Sequence, residues 1–209
     1  MNNKNFNIYD FLAKRPLSYS ALNAFTDPKY GSPEKWYKNY ILGERQSSPQ
    51  LDFGTYVDKR IQNDPTFLPT LPRYEHMQYK LNVMFNKKIP LVGLPDGLNL
   101  TKTKELADYK TAGEKSLWTQ KKADETEQIT FYLLLLYITH KIKPEDFTCY
   151  IHCIPTKKEE SGDFKTTISL VGNEIMTFKT KRSMQDILKL GAKINKTIAE
   201  MEKYVQNHD

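Results

Sequence analysis

An aspartate at position 96, an aspartate and a lysine at 108 and 110, and a glutamine and a tyrosine at 128 and 132 could do chemistry together. Two carboxylates brought close repel each other, and at neutral pH a divalent cation between them relieves the repulsion. Oxygen donors favour Mg2+ or Mn2+ over zinc. A cation held by Asp96 and Asp108 could polarise a scissile phosphate and activate a water. Lys110 would orient that water or stabilise charge at phosphorus. Together these residue types suit the hydrolysis of a phosphodiester.

This chemistry requires particular elements to bring the residues together. From Lys80 to Lys110 the chain reads as three strands, LNVMF, PLVGLPDGLNL and ELADYKT, separated by the charged breaks NKK and TKTK. Asp96 falls on or just after the second strand, and Asp108 and Lys110 on the third. Side chains alternate along a strand, so 108 and 110 share one face while Ala107 and Tyr109 take the other. The polar turn TAGEKS leads into a helix from about Leu117 or Ala123 to about His140, with Gln128 and Tyr132 one turn apart on one face. Its ITFYLLLLYI run is apolar all round, the mark of a helix buried against a sheet. It is too short for a membrane span, which needs about 20 residues.

The Asp-x-Lys tripeptide carries little alone, because it recurs at Asp27-Pro28-Lys29 and Asp163-Phe164-Lys165. Pro28 argues against a central strand, and the third copy follows Ser161-Gly162 at an expected hairpin tip. By spacing alone, Asp108 and Lys110 could equally be a solvent-facing ion pair worth about 0–1 kcal/mol. Tyr132 could likewise be a core residue with Gln128 at its edge.

The 209 residues suffice for one core and one domain, 1–209, and leave no room for a motor. A helical N-terminal part is expected over about 18–63 with Ser18 as N-cap. The Pro-rich stretch Asp64 to Arg73 follows, then a core over about 74–182. In it FTCYIHCIPT is a strand, and FKTTISLVG and EIMTFKT form a hairpin turning at Gly172-Asn173. A final helix over about 183–205 has an apolar stripe at Met184, Ile187, Leu188, Ile194, Ile198 and Met201. The net charge of +6 includes basic pairs at Lys87-Lys88, Lys121-Lys122, Lys157-Lys158 and Lys181-Arg182. Such pairs attract phosphate backbones when they are more than solvated surface. MNNKNFNIYD lacks the apolar core of a signal peptide, and two cysteines make no disulfide framework, so a cytoplasmic setting is expected. Cys149 and Cys153 share a strand face as buried small residues, with His152 on the other. His76, His140 and His208 read as structural or exposed.

Taken in order, these segments resemble the PD-(D/E)XK nuclease superfamily in its RecB-like branch, which includes CRISPR-associated and phage exonucleases. Ser18-Tyr19-Ser20-Ala21-Leu22, ahead of Phe25 and Asp27-Pro28, is similar to the branch's Ser-x-Ser-x-Leu opening. Phe53-Gly54-Thr55-Tyr56-Val57-Asp58 falls where the branch has Gly-x-x-x-His. Gly93-Leu94-Pro95-Asp96-Gly97, Asp108-Tyr109-Lys110-Thr111 and Gln128-Ile129-Thr130-Phe131-Tyr132 are similar to its Gly-x-x-Asp, Asp-Tyr-Lys-Thr and Gln-x-x-x-Tyr motifs.

The resemblance implies an α/β, restriction-endonuclease-like core with a mixed central β-sheet flanked by helices. It implies a Mg2+- or Mn2+-dependent deoxyribonuclease, expected to be an exonuclease of DNA recombination, repair or phage DNA metabolism. DNA is the implied partner, beside a homo-oligomer or a recombination or replication protein. Asp96, Asp108, Tyr109 and Asp58 would hold the metal, Lys110 would assist the water, and Gln128 and Tyr132 would position phosphate or strand. Two departures stand out. Asp58 replaces the branch's metal-binding histidine, and the four thiolates of its iron–sulfur members are lacking, with Asp27 where the first would sit. The substitution at Asp58 motivates a rival reading, a nuclease fold kept as a DNA-binding or protein-interaction module with weak or no catalysis.

Overall fold

The computed structural model describes residues 6–44, 47–160 and 166–208. Helix α1 (Ile8–Lys14), started by the Asn7 side chain, precedes the expected helical part, and a two-residue strand β1 (Leu17–Ser18) follows it. Ser18 caps α2 (Tyr19–Thr26) as expected, its Oγ accepting the Ala21 N–H. A short α3 (Pro33–Trp36) runs into a π-helical turn, Tyr37–Ile41. Ser48 and Pro49 then open α4 (Pro49–Asn63).

Two sheets follow. The smaller one orders β1, β4 (Ile89–Gly93) and β3 (Leu81–Phe85), with β1 parallel and β3 antiparallel to β4. The larger one orders β2 (His76–Met77), β5 (Gly97–Asn99), β6 (Glu105–Gly113) and β7 (Thr148–Glu160). Strands β8 (Thr166–Leu170) and β9 (Met176–Thr180) both lie along the far edge of β7. β6 and β7 are parallel, and the crossover between them carries α5 (Gln120–Glu125) and α6 (Glu127–His140). Helix α7 (Met184–Asn207) closes the fold behind a Ser183–Asp186 capping box.

Strand parity sets the layers. Leu106 of β6 with Cys149 and Ile151 of β7 packs on the buried run Ile129–Leu136 of α6 and on α7. Ala107, Tyr109 and Ile154 face the other way, onto Val57 and Ile61 of α4. Asp108 and Lys110 therefore project to the α6 side.

Four expectations need correcting. The second strand divides: β4 joins the small sheet and β5 the large one, with the crossing at Leu94-Pro95-Asp96, where proline has no N–H for a ladder. The hairpin at Gly172-Asn173 does not form, because the 13-residue β7 is long enough to pair with both β8 and β9, and Val171 N–H donates to Pro155 O between them. The expected tip at Ser161-Gly162, with Asp163-Phe164-Lys165, lies outside the described residues. The central helix breaks at Thr126, which ends α5 and caps α6. Leu188 on α7 is exposed, and Leu190, Gly191 and Val205 complete the buried stripe instead. Among the described residues no helix is long and apolar enough to cross a membrane.

Candidate active site

Asp96 sits in the bend between β4 and β5, and the glycines on either side explain how the bend packs. A Cβ on Gly97 would lie 2.2 Å from the Tyr74 ring, and one on Gly93 would lie 3.0 Å from the Tyr132 ring. Only glycine lets both rings close on the bend. Asp96 is buried, and beyond the Gly97–Ala107 pair β5 gives β6 no further ladder partner. The Asp96 side chain takes that place, its Oδ2 accepting the Tyr109 N–H at 2.7 Å. Its Oδ1 accepts from Gln78 Nε2.

Asp108, 1% exposed, comes from the centre of β6. Its Oδ1 accepts from Gln128 Nε2 at 2.9 Å, and its Oδ2 lies 2.7 Å from Lys110 Nζ. Among the described residues no donor other than this ammonium reaches Oδ2. Lys110, its side chain 28% exposed, donates to Gln128 Oε1 at 2.8 Å. Gln128 Nε2 also donates to Tyr132 Oη at 2.8 Å. The first turn of α6 thus ties together both members of the Asp-x-Lys pair. Asp96, Asp108, Lys110, Gln128 and Tyr132 converge.

The electrostatics follow from crowding. Burial, then the Asp108 charge, holds the Asp96 carboxyl well above the usual carboxylate range. Burial opposes the Lys110 ammonium, but Asp108, then Asp96 and Asp58, outweigh it and raise its pKa. Burial, and next Asp108, pushes the Tyr132 phenol up. A crowded pair of carboxylates with one oxygen met only by an ammonium suits a hard divalent cation. Among the described residues no three His, Cys, Asp or Glu side chains converge to hold a metal ion. A cation here would need other oxygens as well.

Asp58 is exposed on α4, and among the described residues its side chain makes no hydrogen bond or ion pair. It lines a cleft of about 430 Å3 with Lys110, Thr111 and Leu51. Partial burial in the cleft raises its carboxyl, Lys110 opposes the rise and Asp108 adds to it. A second cleft, of about 580 Å3, opens on the other side of Lys110 and Leu51, lined by Tyr19, Tyr30, Tyr40, Asn23 and Tyr132. The Tyr109 phenol lies on the opposite sheet face, donating to Pro72 O at 2.7 Å.

Sequence spacing missed two residues. Gln78 carries no motif, and only its place beside β5 brings it to Asp96. Arg182, counted in a surface pair with Lys181, is 7% exposed. Its five N–H groups meet Thr130 Oγ1, Thr180 Oγ1 and the carbonyls of Lys181, Ala123 and Thr126. That clamp holds the α5–α6 break and so the start of the helix bearing Gln128. The histidine on the other face of β7, His152, bonds Tyr74 Oη and Thr177 Oγ1, and burial pulls it down to about 4, so it stays neutral.

No protein-family profile and no curated protein matches the sequence. Among solved structures, a putative exonuclease from Eubacterium rectale aligns over 94% of this chain and 85% of its own, with TM-score 0.55 and 14% identity. An alkaline exonuclease from Laribacter hongkongensis aligns over 94% of both chains, with TM-score 0.54 and 12% identity. Its complex with dAMP aligns over 95% of this chain and 93% of its own, with TM-score 0.52 and 12% identity. The chain shares their restriction-endonuclease-like fold, a curled mixed sheet flanked by helices.

Proposed function

We propose that this chain, as one domain, is a divalent-metal-dependent deoxyribonuclease, an exonuclease acting in DNA recombination, repair or phage DNA metabolism in the cytoplasm. The observation that carries the reading is the mutually bonded set of Asp108, Lys110 and Gln128, with Asp96 held beside it on the Tyr109 N–H and Asp108 Oδ2 meeting only the Lys110 ammonium. The likeness in fold to proteins described as exonucleases, one in complex with dAMP, supports DNA as substrate.

Asp96 and Asp108 would hold Mg2+ or Mn2+, joined by the Tyr109 carbonyl. In an extended strand a residue's N–H and C=O leave on the same side, and the Tyr109 N–H already points at Asp96. Asp58, across the cleft, would reach such an ion only through water. When bound, the cation supplies Lewis acidity toward the phosphate and a lowered water pKa. Lys110 places a positive charge where negative charge builds on the phosphoryl oxygens. Gln128 fixes both Lys110 and Asp108, and Tyr132 fixes Gln128, so the ammonium needs no reorganisation when a phosphate arrives. The two clefts meeting at Lys110 support a strand laid across it, with bases against the tyrosines of the larger cleft. Purified protein with Mg2+ or Mn2+ should degrade end-labelled DNA, and Asp108→Ala and Lys110→Ala should not. Equal activity in all three would sink the proposal. End-labelled single- and double-stranded substrates assign strand preference, and a closed circular substrate left intact is expected of an exonuclease.

A second reading is motivated by Asp58, which stays outside the bonded cluster. On it the fold binds DNA, or another protein, with weak or no catalysis. Absence of Mn2+ binding by calorimetry, with DNA affinity unchanged in Asp96→Ala, would favour it.

A further inference from the structure

Gln78 lies against Asp96 although it belongs to no segment that carries the site. It follows β2, whose His76 and Met77 pair with Leu98 and Gly97, so the chain leaves the sheet beside the bend holding Asp96. The Gln78 N–H donates to the Asp96 carbonyl at 3.2 Å, and Nε2 donates to Asp96 Oδ1. Gln78 does this at a φ of 52°, in the left-handed region that side chains other than Gly, Asn and Asp seldom enter. Such backbone persists where its surroundings over-determine it, and it clusters at functional sites. With the Tyr109 N–H on Oδ2, both Asp96 oxygens are held from outside the cluster. Each carboxylate oxygen has two acceptor positions, so each keeps one free for a cation.

We infer that Gln78 is a positioning residue for the divalent cation, locking the Asp96 carboxylate in the orientation that a metal needs. The inference rests on the reading of Asp96 and Asp108 as metal ligands. Asp96 ends a bend rather than a helix or strand, so its side chain depends on neighbours for its direction. Partners that hold a ligand in this way typically affect metal affinity about 10–100-fold. The two functions of Gln78 can be separated by substitution. Gln78→Met keeps the length and removes the donor, and Gln78→Gly removes the donor while relieving the left-handed backbone.

Calorimetric titration of the whole protein with Mn2+, beside thermal melts without metal, tests this. Both variants should bind Mn2+ about 10–100-fold more weakly than wild type, while Gln78→Gly melts no lower than wild type. Wild-type Mn2+ affinity in both variants would overturn the role of Gln78 and leave the metal site standing. Failure of the wild-type protein itself to bind Mn2+ would remove the metal reading and this inference with it.

Discussion

Two cations lie beside the start of α6, Arg182 buried and Lys110 partly so, and they are satisfied in opposite ways. Arg182 meets five neutral oxygens with its five N–H groups and contacts no carboxylate by hydrogen bond. Lys110 meets Gln128 and Asp108, and among the described residues the carboxylate oxygen it faces has no other donor. A saturated network fixes structure and leaves nothing for a ligand. An unsaturated one stores the desolvation of a charge until something binds. That difference in saturation separates a clamp from a candidate site.

Substitution at each centre should give opposite results. Asp108→Asn keeps the bulk and removes the charge. If Asp108 holds the cation as proposed, this is expected to cut DNA hydrolysis about 10³-fold or more, several kcal/mol of barrier. Its melting temperature without metal should hold or rise, because a crowded buried charge has gone. A stable wild-type turnover in this variant would erase the distinction. Arg182→Ala removes five hydrogen bonds, those to the Ala123 and Thr126 carbonyls among them, at about 1–3 kcal/mol for each buried group left without a partner. A loss near 3 kcal/mol corresponds to roughly 6–12 °C for a chain of this size. Specific activity of the folded fraction should stay within a few-fold of wild type. A drop matching that of Asp108→Asn, with the melt unchanged, would make Arg182 part of the site.

The pH dependence sharpens the same contrast. Asp96 has a carboxyl raised above its unfolded value, so between the two values the native state binds more protons. Its contribution to stability is therefore full below about pH 4 and is lost as pH rises through the raised native value. In the metal-free protein, melts should show this loss toward neutral pH, and Mn2+ should restore stability there by binding the native state. Asp96→Asn should flatten the difference between metal-free and metal-loaded curves. The Arg182 clamp, having no carboxylate partner by hydrogen bond, should add no such slope.

Much of the candidate site's geometry was legible because local rules place it. Period-2 alternation put Asp108 and Lys110 on one face, and helical spacing put Gln128 one turn before Tyr132. The all-round apolar run gave a buried α6, and Ser18 read as a cap. Long-range pairing was not legible. β8 and β9 share an edge of β7 rather than each other, which no local turn signal encodes, and Gly172-Asn173 misled by looking like one. β4 and β5 fall in different sheets because one bend at Pro95 redirects the chain. Gln78 and Arg182 reach their partners through tertiary approach over 18 and 52 positions, so neither had a motif to announce it.

Asp58 tests where the site ends. It lies on α4, beyond the bonded cluster, and shares only the cleft with Lys110. A charge in contact through solvent counts for little. Screening limits an exposed pair to about 0–1 kcal/mol, so Asp58→Ala should lower hydrolysis less than about tenfold and leave the melt unchanged. Asp58→His would put an imidazole where the resembling branch carries one, and neutral imidazole binds Mn2+ less readily than carboxylate does. Comparing Mn2+ affinity in Asp58→Ala and Asp58→His separates two outcomes. Equal, near-native affinities place the boundary of the site at Lys110, with α4 only roofing the cleft. A fall of about 100-fold in Asp58→Ala alone would draw α4 into the metal's own coordination, and the unsaturated centre would then include a third carboxylate.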